Sequence, residues 1–361
     1  MTNRWFNPEE LQQMSLPTMD KVVELIEAKD YMQALSLCRD VKKEWSFLHR
    51  LMAESFVALI DFVEKEFEDI SPKILVYVYE RVWKHAFKEI NDDGRREAAK
   101  FILKSWLELN VHPSNLLHHD TFTLELVKEL TQPKLDRVVL DSITIKPDIE
   151  VIKNCIKSKH EWGLLHDLLV ESIAACLTFI GDSVGEENVG FALKKMTEKV
   201  WKVPMQKMET LDRKQIAMAL AATWRAHSTG GVGNEPGKFT IIEDDEKITY
   251  ELEPCGSGQR LWRQGIENPD KKYGFTEKEH FWSFNRSDFP YYCSHCTYMN
   301  EIMPIEWTGE PIYPLDPPTS PDHPCKWYFY KNKDDVPERF YERYGYQKGR
   351  VEIPNSQGSK Q

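Results

Sequence analysis

No run in this chain of 361 residues reaches the roughly 20 apolar residues that a membrane-spanning helix requires. The most apolar helix candidate, around Phe56-Val57-Ala58-Leu59-Ile60, is flanked by Glu54 and Asp61. Positive charge is also scarce. The chain has 47 Lys and Arg against 58 Asp and Glu, a formal net charge of -11, with a pI near 5.6. Broad, sequence-independent binding to nucleic acid is therefore not expected, because the phosphates would be repelled. The opening residues, Met1 to Glu10, lack an apolar run behind a basic segment, so no secretory signal is expected there. Neither Gly256-Ser257-Gly258 nor the loop at Gly230 continues into the Lys-Ser or Lys-Thr pair of a phosphate-binding loop. The seven cysteines are odd in number, and Cys38, Cys155 and Cys176 fall in helical patterns, which disfavours a secreted disulfide framework. A soluble cytoplasmic protein is expected, with no membrane and no nucleic-acid partner.

What the chain does contain is an internal repeat. Pro17-Thr18-Met19-Asp20-Lys21-Val22-Val23 recurs as Pro133-Lys134-Leu135-Asp136-Arg137-Val138-Val139. Glu44-Trp45-Ser46-Phe47-Leu48-His49-Arg50-Leu51 recurs as Glu161-Trp162-Gly163-Leu164-Leu165-His166-Asp167-Leu168. Glu54-Ser55 matches Glu171-Ser172, Val82-Trp83-Lys84 matches Val200-Trp201-Lys202, Cys38 matches Cys155, and Trp106 matches Trp224. Trp45, Leu48, His49, Met52, Phe56 and Leu59 take the helical i, i+3, i+4, i+7 spacing of one buried face. Trp162, Leu165, His166, Leu169, Ile173 and Cys176 repeat it. Breaks are expected at Ser71-Pro72, near Asp92-Asp93-Gly94, at Gly185 and near Leu211-Asp212.

After Trp224 the pattern changes. Ser228 to Gly237 is a glycine-rich connector, and the alternating runs Lys238 to Ile242 and Lys247 to Glu253 predict a hairpin across the acidic turn Glu243-Asp244-Asp245-Glu246. Prolines from Pro304 to Pro324 predict an extended, ordered loop. From Trp327 to Tyr346 a packed strand and an amphipathic helix are expected. The fold class is mostly α: two tandem helical-bundle repeats, 1–116 and 117–228, then a small α+β domain, 229–345, with an antiparallel sheet and a cysteine-rich metal site. A polar tail, 346–361, follows.

Four cysteines carry the chemistry of that last domain. Cys293 and Cys296 form a C-x-x-C hook, Cys255 follows a strand, and Cys325 opens another. Two thiolates from one tight turn can hold one ion, and such a set favours zinc over an iron-sulfur cluster. His295, His280 and His323 are substitute ligands. The alternative is a set of unrelated thiols. Pro254 to Leu261 reads as a plain turn, an anion nest or a site for an activated thiolate. His49 and His166 read as core histidines satisfied by a hydroxyl or carboxylate, with Ser55 and Glu54 and their counterparts as candidates, or as a pair lining one pocket. The second copy replaces Leu107 and Leu109 by Arg225 and His227. That places an arginine able to clamp a carboxylate, and a histidine able to move a proton, just before the sheet. The alternative roles are an ion pair for Arg225 and a helix cap for His227.

The order strand, Cys255, hook, then Cys325-Lys326-Trp327-Tyr328-Phe329 on a last strand resembles the L-2-amino-thiazoline-4-carboxylic acid hydrolase-like family over about residues 239–331. The resemblance implies helices on a small antiparallel sheet and hydrolysis of a small sulfur- or nitrogen-containing compound. The expected function is a metal-binding enzyme, a hydrolase acting on a small-molecule substrate through Arg225, His227 and His295, with zinc held by Cys255, Cys293, Cys296 and Cys325. The rival is a non-enzymatic interaction protein with a structural zinc.

Overall fold

The computed structural model describes residues 3–84, 149–208, 210–227 and 237–350. The fold is mostly helical, with a small four-stranded antiparallel sheet on its C-terminal side. Among the described residues no helix is long and apolar enough to cross a membrane.

Helix α1 (Pro8–Ser15) starts in a full capping box, with the Asn7 side chain and Glu10 each taking the other's backbone N–H. Helix α2 (Thr18–Glu27) leads into α3 (Tyr31–Glu66), 36 residues long, which Asp30 caps through Gln33 N–H. Helix α4 (Ser71–Val78) carries its proline in the first turn, as the Ser71-Pro72 pair predicts, and runs on as a π-helical segment, Tyr79–Trp83. The second long helix, α5 (Ile149–Val184), also has 36 residues and stops at Gly185, whose φ of 93° lies in the left-handed region that glycine enters freely. Helices α6 (Glu187–Val200), α7 (Lys202–Met208) and α8 (Arg213–Ala226) follow. Asp212 caps α8 with a second capping box, so the break near Leu211-Asp212 is a helix start.

Helices α3 and α5 lie against each other, α6 rests on α3, and α4 rests on α5. Two bonds tie these pairs together. Trp83 Nε1 donates to Ser172 Oγ at 2.8 Å, and Trp201 Nε1 donates to Ser55 Oγ at 3.1 Å. Each serine in turn donates to the carbonyl four residues back, Leu168 or Leu51. Ser55 is thus engaged with Trp201 and does not satisfy His49. Trp106 and the break near Asp92-Asp93-Gly94 lie outside the described residues.

The predicted hairpin is present as β1 (Phe239–Glu243) and β2 (Lys247–Leu252), paired antiparallel with Ile241 opposite Tyr250. Strand β4 (Cys325–Tyr330) pairs with β2 and with the short β3 (Leu315–Asp316), giving the order β1-β2-β4-β3. Between β2 and β3 stand α9 (Gly258–Glu267), a 3-10 turn at Tyr292–Ser294, and a π-helical segment Thr297–Ile302 that continues as α10 (Met303–Thr308). The proline-rich stretch is therefore partly helical at its start. Pro304 is the second residue of α10, directly after the π-helical segment. After β4, the short α11 (Arg339–Glu342) buries Phe340 and Tyr341.

The residues before α1 are hydrogen-bonded to the hairpin of the sheet. Trp5 and Phe6 donate their backbone N–H groups to the Glu243 carboxylate at 2.6 and 3.1 Å. Glu243 also pairs with Lys331 Nζ at 2.7 Å, and both side chains are buried. One core fills the helical bundle and reaches the C-terminal segments, while a second lies between the sheet, α8 and Phe6.

Candidate hydrolytic site

The elements converge at the C-terminal end of α8, where α5, the turn before α9 and the cysteine hook meet. Strand β2 ends at Leu252, and five residues later the chain enters α9 through Ser257, which is 1% exposed. Gly258 is required here by contact: a Cβ on it would lie 2.4 Å from Cys293 Sγ. The turn is thereby pressed against the hook.

Ser257 Oγ lies 3.1 Å from His166 Nε2 and 3.3 Å from His227 Nδ1, and these two ring nitrogens are 3.0 Å apart. On its other side, His166 Nδ1 lies 3.0 Å from Asp167 Oδ1. A carboxylate only accepts, so this contact places the histidine proton on Nδ1 and leaves the Nε2 lone pair facing the hydroxyl. Serine, histidine and aspartate thus stand in the hydrogen-bonded order of a nucleophile, its base and the base's orienting group. Asp167 is held in turn by Arg260, whose Nη2 is 3.3 Å away and whose Nη1 also pairs with Glu171 at 3.1 Å. Burial first, and then the Arg260 charge, lower the pKa of His166 to about 3. The ring is therefore neutral near pH 7. Burial likewise holds His49 and His227 neutral, with the proximity of the His166 ring as the next cause for each.

Among the described residues no side chain caps α9. Its first backbone N–H groups, next to Ser257, have no intrahelical partner, an arrangement that suits a developing oxyanion.

Two small cavities border the centre. One, of about 40 Å3, is lined by Ser257, His227, His295 and all four cysteines of the hook pattern. The other, of about 90 Å3, lies toward α3 and α6 and is walled by Met52, Met196, Met205, Met208 and Met299. Trp224, His227, Tyr292, His295 and Trp327 line both.

Cys255, Cys293, Cys296 and Cys325 line one cavity. Among the described residues no group of three or more His, Cys, Asp or Glu side chains is placed to hold a metal ion. The sulfurs have other partners. Cys255 Sγ accepts from Ser257 N–H at 3.4 Å, Cys325 Sγ accepts from Trp327 Nε1 at 3.3 Å, and Cys296 Sγ lies 3.6 Å from His295 Nε2. Burial pushes the Cys293, Cys296 and Cys325 thiols well up. The substitute ligands are engaged elsewhere. His280 pairs with Glu186 at 2.8 Å and stacks on Trp282, and His323 hydrogen-bonds the Pro324 carbonyl at 3.2 Å.

Of the three expected catalytic residues, His227 and His295 line the cavities and Arg225 does not. Arg225 pairs with Glu44 at 2.5 Å and donates to the Met14 carbonyl at 2.8 Å, facing a separate depression that also holds Lys21 and Asp40. It ties α8 to α3 and α1. His295 donates through Nδ1 to the Tyr292 carbonyl, which leaves Nε2 to accept from the Cys296 thiol. His49 is a ring neighbour of His166 at 6.3 Å and of Trp45 at 6.4 Å.

Sequence reasoning passed over Ser257 and Asp167. A signal for Asp167 was available in the repeat, because the residue after the shared histidine is Arg50 in the first copy and aspartate in the second. No family model, curated protein or solved structure matches the chain.

Proposed function

We propose that this protein is a hydrolase of small acyl compounds that uses Ser257 as nucleophile, His166 as general base and acid, and Asp167 as the group that orients His166. The observation that carries this reading is the unbroken chain from Ser257 Oγ to His166 Nε2 at 3.1 Å and from His166 Nδ1 to Asp167 at 3.0 Å, at the wall of a cavity. His166 takes the hydroxyl proton as Ser257 Oγ bonds to the acyl carbon, and the carbonyl oxygen becomes an oxyanion beside the start of α9. The leaving group departs with that proton. Water then attacks the acyl-serine, giving its proton to His166 Nε2, and the acid is released as Ser257 recovers its hydrogen. His227, 3.3 Å from Ser257 Oγ, positions the hydroxyl.

The same reading extends to origin: the helical part descends from a duplication that kept a structural histidine in one copy and made its counterpart reactive in the other. In support, the Trp83–Ser172 and Trp201–Ser55 bonds join positions that the repeat alignment pairs crosswise.

The test is covalent. Diisopropyl fluorophosphate, followed by mass spectrometry of the digested protein, should add one phosphoryl group to the peptide containing Ser257. The S257A variant, folded by circular dichroism, should take up none and should lose turnover of methyl thioacetate by about a thousandfold or more. Modification confined to a cysteine, or wild-type turnover by S257A, would reject the assignment.

A further inference from the structure

Three atoms at the centre of the site form a nearly equilateral triangle. His166 Nε2 and His227 Nδ1 are 3.0 Å apart, and Ser257 Oγ lies 3.1 Å from the first and 3.3 Å from the second. Zinc holds imidazole nitrogen and oxygen at about 2.0–2.2 Å, so two ligands of one tetrahedral ion stand about 3.3–3.4 Å from each other. The triangle is within a few tenths of an ångström of one face of such a site.

His166 is also supported as a metal ligand is. A ligating histidine turns one nitrogen to the ion and donates the N–H of the other to a carboxylate, which fixes both tautomer and ring. Asp167 stands in that place, 3.0 Å from His166 Nδ1. Arg260 braces Asp167 and also pairs with Glu171, so two carboxylates face one guanidinium and the surroundings do not repel a cation. His166 and Ser257 are 0% and 1% exposed. His227 is partly exposed and lines both cavities, which gives an ion its way in.

The donors select the ion. Imidazole suits zinc and its transition-metal neighbours, whereas magnesium and calcium take oxygen ligands. Among the described residues no third His, Cys, Asp or Glu completes the group. The third protein ligand is therefore the Ser257 hydroxyl, and the fourth position is left to water. An open set of this kind suits an exchangeable ion better than a structural one.

We propose that His166, His227 and Ser257 bind a zinc-type divalent cation, and that this ion inhibits the hydrolase. With the ion on Nε2, His166 has no lone pair for the serine proton, and Ser257 Oγ is held on the metal instead of facing an acyl carbon. The same separations suit hydrogen bonds, so the ion competes with protons for this face and binds less tightly in acid. The inhibitory part rests on the reading of Ser257 as the nucleophile, so binding is measured apart from reactivity.

Calorimetric titration with zinc chloride at pH 7 should show saturable binding. Cobalt(II) in its place should give d–d bands without the near-ultraviolet charge-transfer band of a thiolate ligand. H227F, folded by circular dichroism, should lose this binding, and D167N should weaken it about ten- to a hundredfold. The D167N arm stands alone if H227F fails to fold. With zinc at about ten times its dissociation constant, phosphorylation of Ser257 by diisopropyl fluorophosphate should slow about tenfold, in proportion to the protein left free, and recover with EDTA. A thiolate band, no saturable binding, unchanged affinity in D167N, or an unchanged rate of phosphorylation would each overturn the inference. If the ion binds through the histidines while Ser257 is never phosphorylated, the metal site stands and the nucleophile assignment falls.

Discussion

At the scale of single residues, the site depends on one aspartate and one glycine. Asp167 sets which nitrogen of His166 carries the proton, and Arg260 holds that aspartate from the far side. Apart from the change from Arg50 to Asp167 between the two copies, the sequence offered Asp167 no distinction from any other acidic residue on a helix, since its role appears only when α5 faces the turn before α9. Gly258 has a simpler reason. Any side chain at that position meets Cys293 Sγ at 2.4 Å. Gly258→Ala is expected to lower stability by about 1–3 kcal/mol through overpacking, read as a fall in the urea midpoint with unchanged slope. A G258A/C293A double variant should recover most of the loss, because the sulfur in the way is then gone. If the double variant is no more stable than G258A alone, the contact is not what demands a glycine.

Among elements, the two long helices are locked by a crosswise pair of indole-to-hydroxyl bonds. Ser55→Ala leaves the Trp201 N–H without its acceptor, and Ser172→Ala does the same to Trp83. Each is expected to cost about 1–3 kcal/mol, the penalty of stranding a buried donor. The two bonds involve different pairs, so the costs should add to within about 0.5 kcal/mol in the double variant. Chemical denaturation of the three proteins checks this. The hairpin, the start at Ser71-Pro72 and the stop at Gly185 were legible in the sequence, because alternation, first-turn proline and left-handed glycine are local signals. The helix at Met303–Thr308 was not legible as such, since a proline-rich stretch favours extended chain unless the proline falls in a first turn.

For the whole molecule, stability should depend on acid through its buried histidines. His49, His166 and His227 are held neutral, so their folded pKa values lie below the 6.5 of an exposed ring, at about 3 for His166. Between those limits the unfolded chain binds protons that the folded chain refuses, and stability therefore falls as pH drops below about 6.5. Each histidine contributes a slope of up to about 1.4 kcal/mol per pH unit. Melting temperatures from pH 7.5 to 4.5 should fall more steeply in the wild type than in H49F, which removes one ring that refuses the proton. Matching slopes in the two proteins would show that His49 does not titrate with folding.

The sequence by itself determined the mostly helical class, the hairpin, the acidic balance, and the gathering of four cysteines in the last third. All of these follow from periodicity, turn chemistry and composition, which act over a few residues. It also placed His49 and His166 within the two long helices. Only the tertiary structure decided what those groups do. The sulfurs of Cys255 and Cys325 accept from N–H donors and that of Cys296 lies beside His295, Arg225 pairs with Glu44, and His166 meets a serine 91 positions away. A hydrogen bond needs its partners within about 3 Å, and residues distant in the chain reach that range only when the whole fold brings their elements together.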